Sequence, residues 1–277
     1  MPSIITSTGN ERIKRIRSLR MRKERDKTGL TFVEGIRSVV EAVQVEAPID
    51  VLVVCPKLLK GKPGWDAVAM ARSREVEVIE VDETVFRTMS KRDGPQGIAA
   101  VLKQRWERLQ DIEPEVGATW VALESAADAG NIGTIVRTCD ATGAEGVILL
   151  DNTADPFDPV AMRASTGAVF TTRLVRASFA EIREWAQEYG LTMVGTAGDA
   201  TEDYRTADYG PSTLIVMGSE RAGLPPQYQA QCDLMVSIPM RGRADSLNLA
   251  VATGLVLYEV LHRREQDTAG ETTESGA

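Results

Sequence analysis

Apolar residues along the chain fall into two recurring patterns. Short, branched, nearly unbroken runs such as "DVLVV", "GVILL", "LIVMG" and "LMVSI" alternate with longer stretches in which apolar positions return every three or four residues. The first pattern suits parallel strands covered on both faces, and the second suits helices with one buried stripe. Alternation of the two predicts an α/β protein. In the first hundred residues it predicts a basic helix, "TFVEGIRSVVEAVQ" entering a helix, strand "DVLVV", a helix over 65–72, and strand "VEVIEV". A further strand follows the turn chemistry of Asp93, Gly94 and Pro95.

From residue 118 a second unit begins, with strands over 119–123, 146–150, 191–195, 213–218 and 234–238. Helices are predicted between them over 131–142, 160–168 and 179–189, and a last helix follows 246. That last helix carries Leu247, Leu249, Val251, Leu255, Val256, Leu257, Val260 and Leu261 on every side of a 3.6-residue wheel, so burial on several faces is expected. The expected organisation is a small α/β domain over 1–102, a charged linker over 103–117 closed by Pro114 and Gly117, a second α/β domain over 118–264, and a disordered tail over 265–277.

A ligand of a parallel sheet lies outside the carboxyl ends of its strands. Five polar, glycine-rich stretches converge there: "ESAADAGNIG", "DNTADPFDP", "TAGDA", "GSERAGLPP" and "PMRGRADS".

Composition narrows the chemistry. With 43% hydrophobic and 26% charged residues the chain is an ordinary globular protein. No run is long enough for a membrane span and Met1 leads directly into polar residues, so a cytoplasmic location is expected. Cys55, Cys139 and Cys232 form no C-x-x-C pair and read as structural thiols, with no metal site. The single histidine, His262, leaves acid–base work to carboxylates, arginine or the substrate. The net charge of −8 hides a strong asymmetry: "NERIKRIRSLRMRKERDK" holds nine Lys or Arg against three acids. Arg12, Lys14, Arg15, Arg22 and Lys23 are its candidate RNA contacts, against the plainer reading of a solvated helix docked through Ile13, Ile16 and Leu19.

Neither G-x-G-x-x-G nor G-x-x-x-x-G-K-[ST] is present in a phosphate-binding context. On a helix from Asn131, residues Ile132, Ile135, Val136 and Cys139 line one face, and Arg137 stands about 150° from its centre at 100° per residue. Arg137 is therefore outside the core; alone it reads as a surface charge. Gly218 allows a close approach of backbone to ligand, and Glu220 suits either hydroxyl recognition or a helix N-terminus. Ser246 reads as a helix N-cap, for which Asn248 is less well placed.

Together "DAGNIGTIVRTCDATGA", "VMGSERAGLP" and "IPMRGRADSLNLAVATGLVLYE", in this order, resemble the three motifs of the SpoU (TrmH-type) RNA 2′-O-ribose methyltransferases of the SPOUT superfamily. "DPFDPVAMRASTGAVF" matches the segment between the first two motifs. "FVEGIRSVVEA" and "PQGIAAVL" resemble the small ribosomal-protein-like substrate-binding domain that many members carry. "AADAG" in place of Asp-Pro-Gly and the charged "RGRAD" are the departures.

The resemblance implies a C-terminal trefoil-knotted methyltransferase domain with a parallel sheet, a homodimer, and S-adenosylmethionine held by Thr196, Ala197, Gly198, Gly218, Ile238, Met240 and Leu247. It implies catalytic roles for Asn131, Arg137, Glu220, Ser246 and Asn248. Arginine holds its proton too tightly to be a good base, so Arg137 is expected to clamp an RNA phosphate and stabilise or assist the deprotonating hydroxyl, with Ser246 and Asn248 orienting Arg137, the ribose or the cofactor carboxylate. The expected substrate is large-subunit ribosomal RNA, with transfer RNA second. The rival classes are a silent RNA-binding protein on the same fold and a small-molecule enzyme.

Overall fold

The computed structural model describes residues 4–274, and side chains as far as 266. The chain forms two compact units, one of Met1–Arg105 with Asp155–Thr171, the other of Trp106–Ala154 with Thr172–Ala277.

In the first unit the basic segment forms two helices, α1 (Glu11–Ser18) and α2 (Arg22–Thr28). Asn10 caps α1 by accepting from the Arg12 N–H at 2.9 Å, and Gly29, at φ +65, ends α2. Ile13, Ile16 and Leu19 are buried, as the periodicity requires. Then follow β1 (Leu30–Glu34), α3 (Ile36–Gln44), β2 (Ile49–Val54), α4 (Lys62–Ser73), β3 (Val78–Glu80), α5 (Glu83–Met89) and β4 (Ile98–Lys103). The strands form one sheet in the order β1-β4-β2-β3, antiparallel except for β2 with β3. Helix α5 was absent from the sequence expectation; its signal was Asp82, whose carboxylate caps it at the Val85 N–H (2.7 Å).

From Trp106 on, the expected linker is part of the second unit, while its first residues belong to the first. Residues 109–111 form a 3₁₀ turn whose Leu109 joins the core; the buried Ile112 next to it accepts from Trp185 Nε1 at 2.9 Å through its carbonyl. Its high charge disguised two apolar anchors. The unit continues through β5 (Thr119–Glu124), α6 (Ala129–Thr142) and β6 (Gly146–Leu150). At Asp155 the chain passes into the first unit, which contains α7 (Pro159–Ala164), and at Thr172 it returns. The boundaries in space therefore interleave where the sequence suggested a single break. The second unit resumes with β7 (Arg173–Ala177), α8 (Phe179–Tyr189), β8 (Thr192–Thr196), β9 (Glu202–Asp203), β10 (Thr213–Met217), α9 (Pro226–Gln229), β11 (Leu234–Ser237) and α10 (Leu249–Glu274).

These strands form a seven-stranded, wholly parallel sheet in the order β7-β6-β5-β10-β8-β11-β9. Strand β9, two residues long, escaped the sequence pattern. Helix α10 differs from expectation in two ways. Its backbone is helical to Glu274, where a disordered tail was expected from 265; 275–277 lie outside the described residues. It is also buried on one side only: Val256, Leu257 and Val260 are in the core, whereas Val251 is 52% and Tyr258 54% exposed.

Candidate functional site

From the β5/β10 pair the sheet runs off in opposite directions, through β6 to β7 and through β8 to β9. Such a reversal opens a crevice at the carboxyl ends of the strands. Strand β5 leaves through Ser125, at φ +48, and Asp128 caps α6 by accepting from the Asn131 N–H at 2.9 Å. Strand β10 leaves through Gly218. A Cβ there would lie 2.1 Å from main-chain atoms of Gly223 and Leu224. The glycine admits the chain's own turn, in which Ser219 and Gly223 exchange main-chain hydrogen bonds of 3.2 and 3.0 Å, and it also lines the adjoining cleft.

That turn aims Glu220 at the start of α6. Glu220 Oε2 accepts from the Ala127 N–H at 3.2 Å, and Oε1 from the Asp128 N–H at 3.4 Å and from Asn131 Nδ2 at 3.0 Å. Asn131 Oδ1 in turn accepts from Asn248 Nδ2 at 2.9 Å. One hydrogen-bonded chain, Glu220–Asn131–Asn248, therefore ties together three segments far apart in sequence. Burial works against the Glu220 charge and is the largest single effect. The Asn131 amide and the main-chain N–H groups outweigh it and hold the carboxyl below the usual range.

The cap of α10 is Asn248, not Ser246. Asn248 Oδ1 accepts from the Ala250 and Val251 N–H groups at 2.9 and 3.3 Å, and its carbonyl accepts from the Ala252 N–H. The side chain is bifunctional because its oxygen serves the helix while its nitrogen reaches Asn131. Ser246 donates to Asp245 Oδ1 at 3.3 Å and lines the adjoining cleft. Arg137 stands apart, exposed two turns along α6, with no partner among the described residues; neither Ser246 nor Asn248 orients it.

The cleft has a volume of about 430 Å³ and opens to solvent. Thr196, Ala197 and Gly198 after β8, Gly218 after β10, Ile238 and Met240 after β11, and Leu247 before α10 all line it, so every residue expected at the cofactor is gathered here. Main-chain groups of Ile238, Met240 and Leu247 have no hydrogen-bond partner among the described residues. Unspent backbone donors and acceptors beside the apolar Met217, Val236 and Leu249 fit a ligand with a polar amino-acid end and a flat heterocycle, as S-adenosylmethionine has. Sequence reasoning missed Arg221, which also lines the cleft; its one signal was a second charge beside Glu220.

The basic segment of the first unit divides by partner. Arg12 pairs with Glu77, Lys14 with Glu11 (2.7 Å) and Arg22 with Asp26 (3.6 Å), all at the surface. Arg15 and Lys23 have no side-chain partner among the described residues. Arg25 is 1% exposed and is bound by Asp155 (2.7 Å), Asp158 (3.2 Å) and two carbonyls, and Arg20 donates to the carbonyls of Thr88 and Ser90. Part of the apparent basic surface is thus internal structure. Burial pushes the Cys139 thiol up to about 12 and Cys232 up to about 11, consistent with structural thiols. Among the described residues no cluster of metal-ligating side chains occurs, and no helix is long and apolar enough to cross a membrane.

Residues 118–258 match the SpoU rRNA methylase family and residues 10–100 the MRM3-like substrate binding domain. A 23S rRNA (uridine(2479)-2′-O)-methyltransferase of Streptomyces viridochromogenes is 30% identical, over 88% of this chain and 86% of its own. A 23S rRNA (guanosine(2553)-2′-O)-methyltransferase of Bacillus subtilis is 28% identical, over 92% and 98%. The crystal structure of an AdoMet-bound rRNA methyltransferase from Sinorhizobium meliloti superposes with a TM-score of 0.85 at 38% identity, over 94% and 98%.

Proposed function

The chain belongs to the SpoU rRNA methylase family, and from that premise we propose that it methylates a ribose 2′-hydroxyl of large-subunit ribosomal RNA. The reaction class, S-adenosylmethionine-dependent RNA 2′-O-methyl transfer, follows from the family and its AdoMet-bound structural relative. The ribosomal substrate is supported by the 23S rRNA named for two relatives that span most of this chain. The observation that carries the site is the Glu220–Asn131–Asn248 chain beside the cleft.

The cofactor supplies an electrophilic methyl group. The unspent main-chain groups of Ile238, Met240 and Leu247 hold it, with Thr196, Ala197, Gly198 and Gly218 on the other walls. The hydrogen-bonded chain fixes the start of α6 and the start of α10 before substrate arrives, so these groups need not be ordered during the reaction. Ser246 presents a hydroxyl to the same cleft. The charge of Arg137 holds an RNA phosphate and favours the developing alkoxide. The 2′-hydroxyl proton leaves to the phosphate or to solvent.

A homodimer completes this reading. The exposed Leu247, Val251, Leu255 and Tyr258 form an apolar face along one side of α10. Helix α10 packs on α6, with Gly254 against Thr138, so this face lies on the element that packs against the helix carrying Arg137. We extend the reading to a trefoil-knotted path into α10, supported by the loops around 196–198, 218–223 and 238–247 closing on one cleft, and to a cytoplasmic location, where ribosomal RNA is modified.

The test is transfer of labelled methyl from S-adenosylmethionine to ribosomal RNA transcribed without modification, with Arg137→Ala alongside. A single labelled ribose in large-subunit RNA, lost in the variant, is expected. Label in transfer RNA instead would reassign the substrate, and full activity of the variant would remove Arg137 from the mechanism.

A further inference from the structure

Helix α10 runs the length of the second unit's sheet. From Asn248 to Arg264 it rises about 24 Å, against about 20 Å for the six residues of β5. Its first end is at the carboxyl edge of the strands, where Asn248 meets Asn131. Its far end is at the opposite edge, where Arg264 meets the first residues of two strands. Thr119 opens β5 and Thr213 opens β10, and the two are register partners in the parallel pair.

Arg264 bridges that pair. Its Nη1 donates to Thr119 Oγ1, and its Nη2 donates to the Ala118 carbonyl at 2.9 Å and to Thr213 Oγ1 at 3.2 Å. Both threonines are buried, and Thr213 spends its own proton on the Tyr209 carbonyl at 3.0 Å, which leaves its oxygen to accept. Burial pulls the Arg264 guanidinium below its usual value, against the favourable charge of Glu145. A charge in such surroundings depends on its hydrogen-bond partners, so this end of the helix has one specific seat.

The same two strands are held at their other ends. Beyond β5 the chain reaches Asn131 and beyond β10 it reaches Glu220; Asn131 donates to Glu220 at 3.0 Å and accepts from Asn248 at 2.9 Å. Strands, helix and side chains thus form a closed frame, with Arg264 and Asn248 at the two ends of one helix. Among the described residues, the hydrogen bonds that join α10 and its cap to other elements are those of Asn248 and Arg264. Between them the helix gives Val256, Leu257 and Val260 to the core, and apolar burial is non-directional.

We propose that Arg264 is a positioning residue of the methyl-transfer site: by pinning the far end of α10 to Thr119 and Thr213, it sets how far the helix extends along the sheet and holds the Asn248 amide against Asn131. The inference rests on the RNA-methylation reading and adds to it a residue that lies outside the cleft.

The experiment is a double-mutant cycle on the full chain, with Arg264→Ala, Asn248→Asp and the two combined. It reads methyl transfer to unmodified large-subunit ribosomal RNA and, for Arg264→Ala, the side-chain amide signals of Asn131 and Asn248 in heteronuclear NMR spectra. Arg264→Ala is expected to lower kcat about ten-fold and to shift both amide signals. In the Asn248→Asp background the same substitution is expected to cost less than about two-fold, because the contact it serves is already gone; sites this far apart otherwise act independently. Arg264→Lys, which keeps the charge and one carbonyl bond, is expected to recover part of the rate, and it carries the cycle if the alanine variant does not fold. Rate losses that multiply in the double variant, or amide signals unmoved by Arg264→Ala, overturn the positioning role while wild type transfers methyl. Wild type that transfers no methyl to any RNA overturns the functional reading as well.

Discussion

Arg25 and Arg137 both come from segments that the sequence marks as functional, and the structure gives them opposite surroundings. Arg25 is enclosed by Asp155, Asp158 and the carbonyls of Leu19 and Arg20, so its donors are spent inside the first unit. Arg137 is exposed on α6 with its charge uncommitted. The difference is between a charge that holds the fold and a charge left available to a ligand, and only burial and partners tell them apart.

The largest effect expected from breaking this contrast is at Arg25. Arg25→Ala leaves Asp155 buried without its cation, which costs about 3–5 kcal/mol; urea unfolding followed by circular dichroism checks it, with a fall in midpoint expected. Arg137→Ala is expected to lose at least about a hundred-fold in methyl transfer, roughly 2.7 kcal/mol in the barrier, while its unfolding midpoint stays at the wild-type value. Midpoint and rate together separate the two arginines. A smaller effect is expected at Asn248, which serves both sides of the contrast: Asn248→Asp keeps the helix cap but loses the amide donor to Asn131, whereas Asn248→Ala loses both. The alanine variant should unfold about 1 kcal/mol more easily, the aspartate variant should keep the cap's contribution, and both should transfer methyl more slowly.

The smallest effect is the pH dependence of Glu220. Its folded carboxyl lies below the usual range, so its contribution is present above the unfolded value of about 4.3 and is lost as pH falls through the lower folded value. Unfolding midpoints of wild type and Glu220→Gln, compared from pH 6 to pH 3, should differ above that range and converge below it. A difference that grew on acidification would contradict the hydrogen-bonded carboxylate.

Much of this was legible beforehand because it rests on local periodicity. The runs "GVILL" and "LIVMG" became β6 and β10, on either side of β5 in a parallel sheet, Ile132, Ile135, Val136 and Cys139 became the buried face of α6, and the residues expected at the cofactor line one cleft. The misses share a cause. Leu109 and Ile112 sat in a charged stretch that read as a linker, and Ser246 looked like the better cap until Asn248 was seen to bond both ways. Trp185, the partner of Ile112, and Asn131, the partner of the Asn248 nitrogen, lie far away in sequence, whereas the cap bonds of Asn248 are local.

The sequence by itself determined the α/β class, the two-part organisation and which segments line the cleft, because hydrophobic period and motif order are local properties of the chain. Only the tertiary structure decided that Arg25 is internal, that Asn248 joins Glu220 through Asn131, and that α10 keeps an uncovered apolar side. Those outcomes depend on which groups meet after long loops close, and a side chain's charge, hydrogen bonds and exposure are set by that company rather than by its neighbours along the chain.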